Sequence, residues 1–97
     1  MDVSVLVPLF NEAESLPSLH AWIVRVMKEH ALSYEIVFVN DGSNDDSWQV
    51  IQSLREQDEH VKGICFRRNY GKSAALHCGF QMVQGDVVIT MDGDLKD

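Results

Sequence analysis

The sequence predicts an α/β fold, half of a doubly wound, Rossmann-like parallel sheet, and three observations carry that expectation. Short Val/Ile-rich runs of strand length alternate with longer segments whose apolar residues recur at helical spacing. The runs Val3-Ser4-Val5-Leu6-Val7-Pro8, Ile36-Val37-Phe38-Val39 and Val87-Val88-Ile89-Thr90-Met91 are almost continuously apolar, the pattern of strands covered on both faces. Each of them leads into acid: Asn11-Glu12, Asn40-Asp41-Gly42-Ser43 and Asp92-Gly93-Asp94.

The elements follow in order. A first strand near 3–8 leads to Ser15 and Pro17, a cap and a first-turn proline for a helix reaching about His30. Leu16, Leu19, Ile23, Val26 and Met27 give that helix one buried face. A second strand near 35–40 enters a turn, 41–46, rich in capping side chains. The second helix then turns Trp48, Ile51 and Leu54 inward and Arg55, Glu56 and Glu59 outward. A third strand near 61–66 precedes the basic loop 67–72, and the third helix runs from Ser73 to Gln84, ended by Gly85. Asp86 opens a fourth strand near 86–91. Right-handed crossovers give the strand order 3-2-1-4. The order reverses between strands 1 and 4, beside Glu12 and Asp92, with Asp41 one strand further along; ligands of open α/β sheets bind at such a point.

Composition narrows the function. Its 97 residues suit one small domain or part of a larger one, and 45% hydrophobic with 24% charged is an ordinary globular balance. A net charge of −7 argues against a nucleic-acid-binding surface, although Lys62, Arg67, Arg68 and Lys72 make one local basic patch. No apolar run approaches the roughly eighteen residues that span a bilayer, and Met1-Asp2 lacks a basic signal-peptide start. Cys65 and Cys78 read as two buried free thiols in a reducing cytosol, which places the chain in the cytoplasm. Asp97 follows the third acidic turn by three residues with no closing helix, so the chain is expected to be the truncated N-terminal part of a longer protein. Strand 4 is then an edge whose charge-free run invites a second copy, and self-association is expected.

Each motif has a plain reading beside a chemical one. Asp-Gly is an ordinary turn pair, yet Asp92-Gly93-Asp94 also offers hard oxygen ligands suited to Mg2+ or Mn2+. An EF-hand is excluded because Lys96 holds the fifth loop position. In Asp41-Gly42-Ser43, Ser43 and Asp45 can cap the second helix, leaving Asp41 free for a ligand. Glu12 is a loop acid or a cleft acid, and Asn11 a candidate helix cap. The basic loop is a solvated turn or a phosphate clamp built from arginine forks and helix amides. His20, His30, His60 and His77 lack ligand spacing, and Trp22 and Trp48 sit at packing positions. There is no Gly-x-Gly-x-x-Gly after strand 1, no complete Gly-x-x-x-x-Gly-Lys-Ser/Thr phosphate loop, and no acid pair ending strand 1 as a phospho-acceptor receiver would need. Three acidic turns on one sheet edge favour a bound cation or the hydroxyls of a sugar.

Taken together, 7–12, 39–43, 67–76 and 91–97 resemble the N-terminal half of a family 2 glycosyltransferase. This is the GT-A nucleotide-sugar-binding fold, and the likeness is greatest to polyprenyl-phosphate sugar transferases of the dolichyl-phosphate mannose synthase type. The resemblance covers all 97 residues and makes them the donor-binding part of a catalytic domain. It implies that Pro8, Phe10, Glu12 and Asp41 hold the nucleoside and that the segment ending in Lys72 walls the donor site. Asp92 and Asp94 are the implied catalytic carboxylates, Asp92 on ribose or metal-bound diphosphate and Asp94 on the divalent metal, Mg2+ or Mn2+. The implied reaction is inverting transfer of a hexose from UDP or GDP to a polyprenyl phosphate, in cell-wall or lipopolysaccharide biosynthesis, at the cytoplasmic face of the inner membrane. Many relatives have glutamine where Lys96 stands, and an ammonium has no lone pair for a metal. The metal is then held by Asp94, phosphate and water, or the lysine contacts phosphate. The alternative is a catalytically inert nucleotide-binding or interaction module that kept the fold.

Overall fold

The structure, a computed structural model, describes residues 1–93. Its elements are β1 (Val3–Leu9), α1 (Leu16–Glu29), β2 (Tyr34–Asn40), α2 (Ser47–Gln57), β3 (Val61–Cys65), α3 (Lys72–Phe80) and β4 (Val87–Thr90). All strand pairs are parallel, in the order β3-β2-β1-β4 that the sequence predicts. Every position of the two central strands, β1 and β2, is buried, which is why their sequences run apolar without alternation.

The pleat divides these side chains between two layers. Val3, Val5, Val7, Ile36 and Phe38 face α1 and α2, whose Leu16, Leu19, Ile23, Met27, Ile51 and Leu54 complete that core. Leu6, Val37 and Val39 face the other way, onto Ala75 and Leu76 of α3. Phe38 is the largest of the fully enclosed side chains, and truncating such a ring to alanine costs about 3–5 kcal/mol.

A carboxylate lies inside this frame. Glu35 is 1% exposed and accepts hydrogen bonds from Ser4 Oγ at 2.5 Å, Lys62 Nζ at 2.6 Å and the Gln84 amide at 2.6 Å. Ser4 Oγ in turn accepts from the Gly85 amide at 2.7 Å. Burial pushes the Glu35 carboxyl up, but the bonds from Lys62, Ser4 and Gln84 outweigh it and hold the group below its ordinary value.

Three expectations need correction. Helix α3 stops at Phe80 rather than Gln84, because the Gln84 and Gly85 amides are captured by Glu35 and Ser4 and cannot stay in a helix. Strand β4 begins at Val87, ends at Thr90 and is not enclosed, with Val87 56% and Ile89 40% exposed. The thiols are not both buried: Cys65 is exposed and Cys78 half-buried. Cys65 ends an edge strand in which only Val61 is buried.

Candidate functional site

The carboxyl ends of β1, β2 and β4 and the start of α3 enclose a cleft of about 290 Å³. Strand β1 and its following loop supply Pro8, Phe10 and Glu12, and the end of β2 supplies Asp41. Asn69, Gly71 and Lys72 come from the basic loop and α3, and Asp92 with Gly93 from the end of β4. Pro8, Phe10, Glu12, Asp41, Lys72 and Asp92, the sequence-derived candidates, therefore line one space. Asp94 and Lys96 lie outside the described residues.

Two loops form the β1 side of the cleft and are joined by side chains. Ser43 Oγ accepts the Asn11 amide at 2.9 Å, Ser47 Oγ the Glu12 amide at 3.1 Å, and Asp45 Oδ2 the Ala13 amide at 3.2 Å. Asn11 takes a left-handed φ of 55°, a conformation Asn tolerates, and its Oδ1 accepts the Asn44 amide at 2.8 Å. The cap residues of the sequence reading thus serve differently. Asp45 does accept the Ser47 amide at 2.9 Å at the start of α2, but Ser43 binds the neighbouring loop, and Ser15 makes no side-chain cap bond. Burial raises the Asp45 carboxyl, yet the bonds from Ser47 and Ala13 leave it below the usual carboxylate range.

Asp41, expected to be free for a ligand, is engaged. It is 4% exposed, and Oδ1 accepts the Tyr70 amide at 2.8 Å while Oδ2 accepts the Gly71 amide at 3.0 Å and Asn69 Nδ2 at 3.2 Å. Beside it Gly42 has φ +72°, and a Cβ there would lie 2.1 Å from the Arg68 carbonyl carbon. Only glycine lets the basic loop settle this closely onto the end of β2. The loop is also held by an edge-on contact between Phe66 and Tyr70, centroids 5.6 Å apart, and by the Arg68 guanidinium 4.9 Å from the centre of the Tyr70 ring. Sequence reasoning took Asn69 only as part of the segment walling the donor site and did not single out Glu35. The second had a signal: an acid in the otherwise apolar run of β2.

Lys72 and Asp92 oppose each other at the cleft mouth, Nζ to Oδ1 at 2.6 Å, with side chains 62% and 65% exposed. Water competes for such a pair, so it contributes about 0–1 kcal/mol and a phosphate can displace it. Among the described residues no three His, Cys, Asp or Glu side chains are grouped to hold a metal. The donor chemistry of Asp92, one hard carboxylate open to the cleft, fits a cation that takes its other ligands from phosphate and water.

Comparison with known proteins agrees with the fold. The family described as glycosyl transferase family 2 matches residues 4–96. Undecaprenyl-phosphate 4-deoxy-4-formamido-L-arabinose transferase of Pseudomonas fluorescens (strain SBW25) is 43% identical over 96 residues, covering 98% of this chain and 28% of the relative. In fold, S. aureus TarS 1-349 in complex with UDP superposes with a TM-score of 0.81 at 23% identity, over 97% of this chain and 28% of that one. The mannosyltransferase PcManGT from Pyrobaculum calidifontis, in complex with GDP-Man and Mn2+, gives 0.74 at 22% identity, over 95% and 27%. The chain thus spans under a third of the length of each.

Proposed function

Because this chain belongs to glycosyl transferase family 2, we propose that it is the donor-binding part of an inverting glycosyltransferase that moves a hexose from a nucleoside diphosphate to a polyprenyl phosphate. The observation that carries the reading is the cleft that Glu12, Asp41 and Asp92, from three strand ends, line together with Lys72 at the start of α3. A nucleoside fits the β1 side, with Pro8 and the 41%-exposed Phe10 against the base and the Glu12 carboxylate accepting from hydroxyls. The diphosphate then takes Lys72 from Asp92, exchanging an exposed ion pair for a charge-assisted contact. Asp92 and Asp94 would hold Mg2+ or Mn2+, which supplies charge neutralisation for the departing diphosphate.

A polyprenyl-phosphate acceptor arrives already anionic and needs little help from a base. Its lipid nature sets the proposed location, cytoplasmic and at the inner face of the inner membrane. No helix among the described residues is long and apolar enough to cross a bilayer. The 97 residues alone bind donor but transfer little sugar, since acceptor and donor must be held together for reaction. The uncovered edge of β4 takes a second copy in the isolated chain. The matching relative is named a transferase, so an inert binding module gains no support.

Calorimetric titration of UDP and GDP, with and without Mn2+, tests the reading. One of the two should bind, more tightly with metal, and Asp94→Ala should remove mainly the metal-dependent part. Absence of binding by either nucleotide refutes the assignment.

A further inference from the structure

We propose that Ser47 and Asp45 are positioning residues for nucleoside recognition: through the backbone of the loop after β1 they set the Glu12 carboxylate against the ribose hydroxyls of the donor. The proposal rests on the donor-site reading above and adds what holds Glu12 in place. It starts from three consecutive amides. Those of Asn11, Glu12 and Ala13 belong to no helix or strand, and each ends on a side chain of the 43–47 loop: Ser43 Oγ, Ser47 Oγ and Asp45 Oδ2. Neither Ser47 nor Asp45 lines the cleft, so whatever they do for a ligand passes through the backbone they hold.

Ser47 is fully buried, and its one hydroxyl proton is committed. It donates to Asp45 Oδ1 at 2.5 Å, so a lone pair of the hydroxyl faces the Glu12 amide. Asp45 thus orients the serine with one oxygen and grips the Ala13 amide with the other. The Glu12 carbonyl is taken as well, by the Ser15 and Leu16 amides at 3.1 and 3.3 Å, at the entry to α1. With its amide and carbonyl both engaged, Glu12 keeps only side-chain freedom at the cleft it lines. A carboxylate held this way meets a ligand without first ordering its loop, which is the cost that pre-organisation removes. Deleting the Ser47 hydroxyl leaves the Glu12 amide without its partner and returns that cost to binding.

The experiment titrates the 97-residue chain, at fixed Mg2+, with the nucleoside diphosphate that binds (UDP or GDP) and with its 2′,3′-dideoxy analogue. The wild type should prefer the ribose form, and Glu12→Ala should abolish that preference. Ser47→Ala should weaken the ribose form about three- to tenfold and leave the dideoxy form unchanged, and Asp45→Asn should act in the same direction. Added to Glu12→Ala, Ser47→Ala should cost nothing further, because the serine acts through the glutamate. Equal losses for the two forms would make Ser47 a general support of the fold and overturn the proposal. Additive losses in the double variant, or unchanged affinity in Ser47→Ala, would overturn it too. If Ser47→Ala fails to fold by circular dichroism, Asp45→Asn, at an exposed position, decides by the same comparison. A wild-type chain that binds neither UDP nor GDP refutes the donor site itself, and one that binds without preferring ribose refutes the place of Glu12 in it. Both outcomes are distinct from the others, and the proposal falls with either.

Discussion

Lys72 Nζ lies 2.6 Å from Asp92 Oδ1, and this contact joins the start of α3 to the end of β4 across the cleft mouth. Both side chains are mostly exposed, so their pairing keeps the cation in place without committing much energy to it. Replacing Lys72 should therefore separate binding from stability. Lys72→Met is expected to shift the unfolding free energy by less than about 1 kcal/mol. It should weaken nucleoside diphosphate binding roughly ten- to a hundredfold. Urea denaturation and calorimetry on the same sample check both halves, and a variant that binds normally removes Lys72 from the donor site.

Acid should destabilise the fold through Glu35. Its carboxyl sits below its ordinary value in the folded state, so the folded chain binds the proton less readily than the unfolded one. The stabilisation is complete above the unfolded value of about 4.3 and is lost as pH falls through the lower folded value. Asp58 acts in the same direction: burial raises it, but bonds from the His60 amide, His20 and His60 hold it down. Urea midpoints from pH 7 to 3 should fall less steeply for Glu35→Gln than for the wild type. At pH 7 the variant should lose about 1.5–3 kcal/mol, the usual worth of a hydrogen bond to a charged group. Parallel curves would mean that another group governs acid unfolding.

The end of α1 offers a stabilising substitution. Ala31 holds a left-handed φ of 54°, while the Leu32 amide reaches back to the Met27 carbonyl at 3.0 Å. Alanine is strained there and glycine is not, although glycine gives up more freedom on folding. The balance predicts that Ala31→Gly gains about 0.5–1 kcal/mol. A lower melting temperature for this variant would contradict it.

The edge of β4 should decide the state of association. Val87–Thr90 pairs with β1 alone among the described residues and carries no charge. Light scattering over a concentration series should show growth in mass, and Ile89→Lys, a charge on the edge strand, should suppress it. A wild-type chain that stays monomeric throughout would refute the edge as an interface.

Most of the fold was legible in the sequence because it follows from local patterns. Continuous apolar runs gave strands enclosed on both faces, and crossover handedness ordered them. The gathering of Glu12, Asp41 and Asp92 at one edge followed from that order. The engagement of Asp41 was not legible, because its partners at Tyr70 and Gly71 are backbone amides, which any residue but proline would present there. The end of α3 was hidden for a related reason. It depends on Glu35 and Ser4, 49 and 81 residues away in sequence from the amides they hold.

The Glu35 network has a consequence at the far end of the sheet. Through Ser4, Glu35 and Lys62 it touches β1, β2 and β3, and through Gln84 and Gly85 the approach to β4. With the Gly85 amide pinned to Ser4 Oγ, Val88 falls opposite Ser4 and Thr90 opposite Leu6. A slip of β4 by one residue would carry Asp92 about 3.3 Å along the strand and turn it to the opposite face of the sheet. The alignment of an acid at the cleft is thus indexed by a buried carboxylate at the other end of the strands.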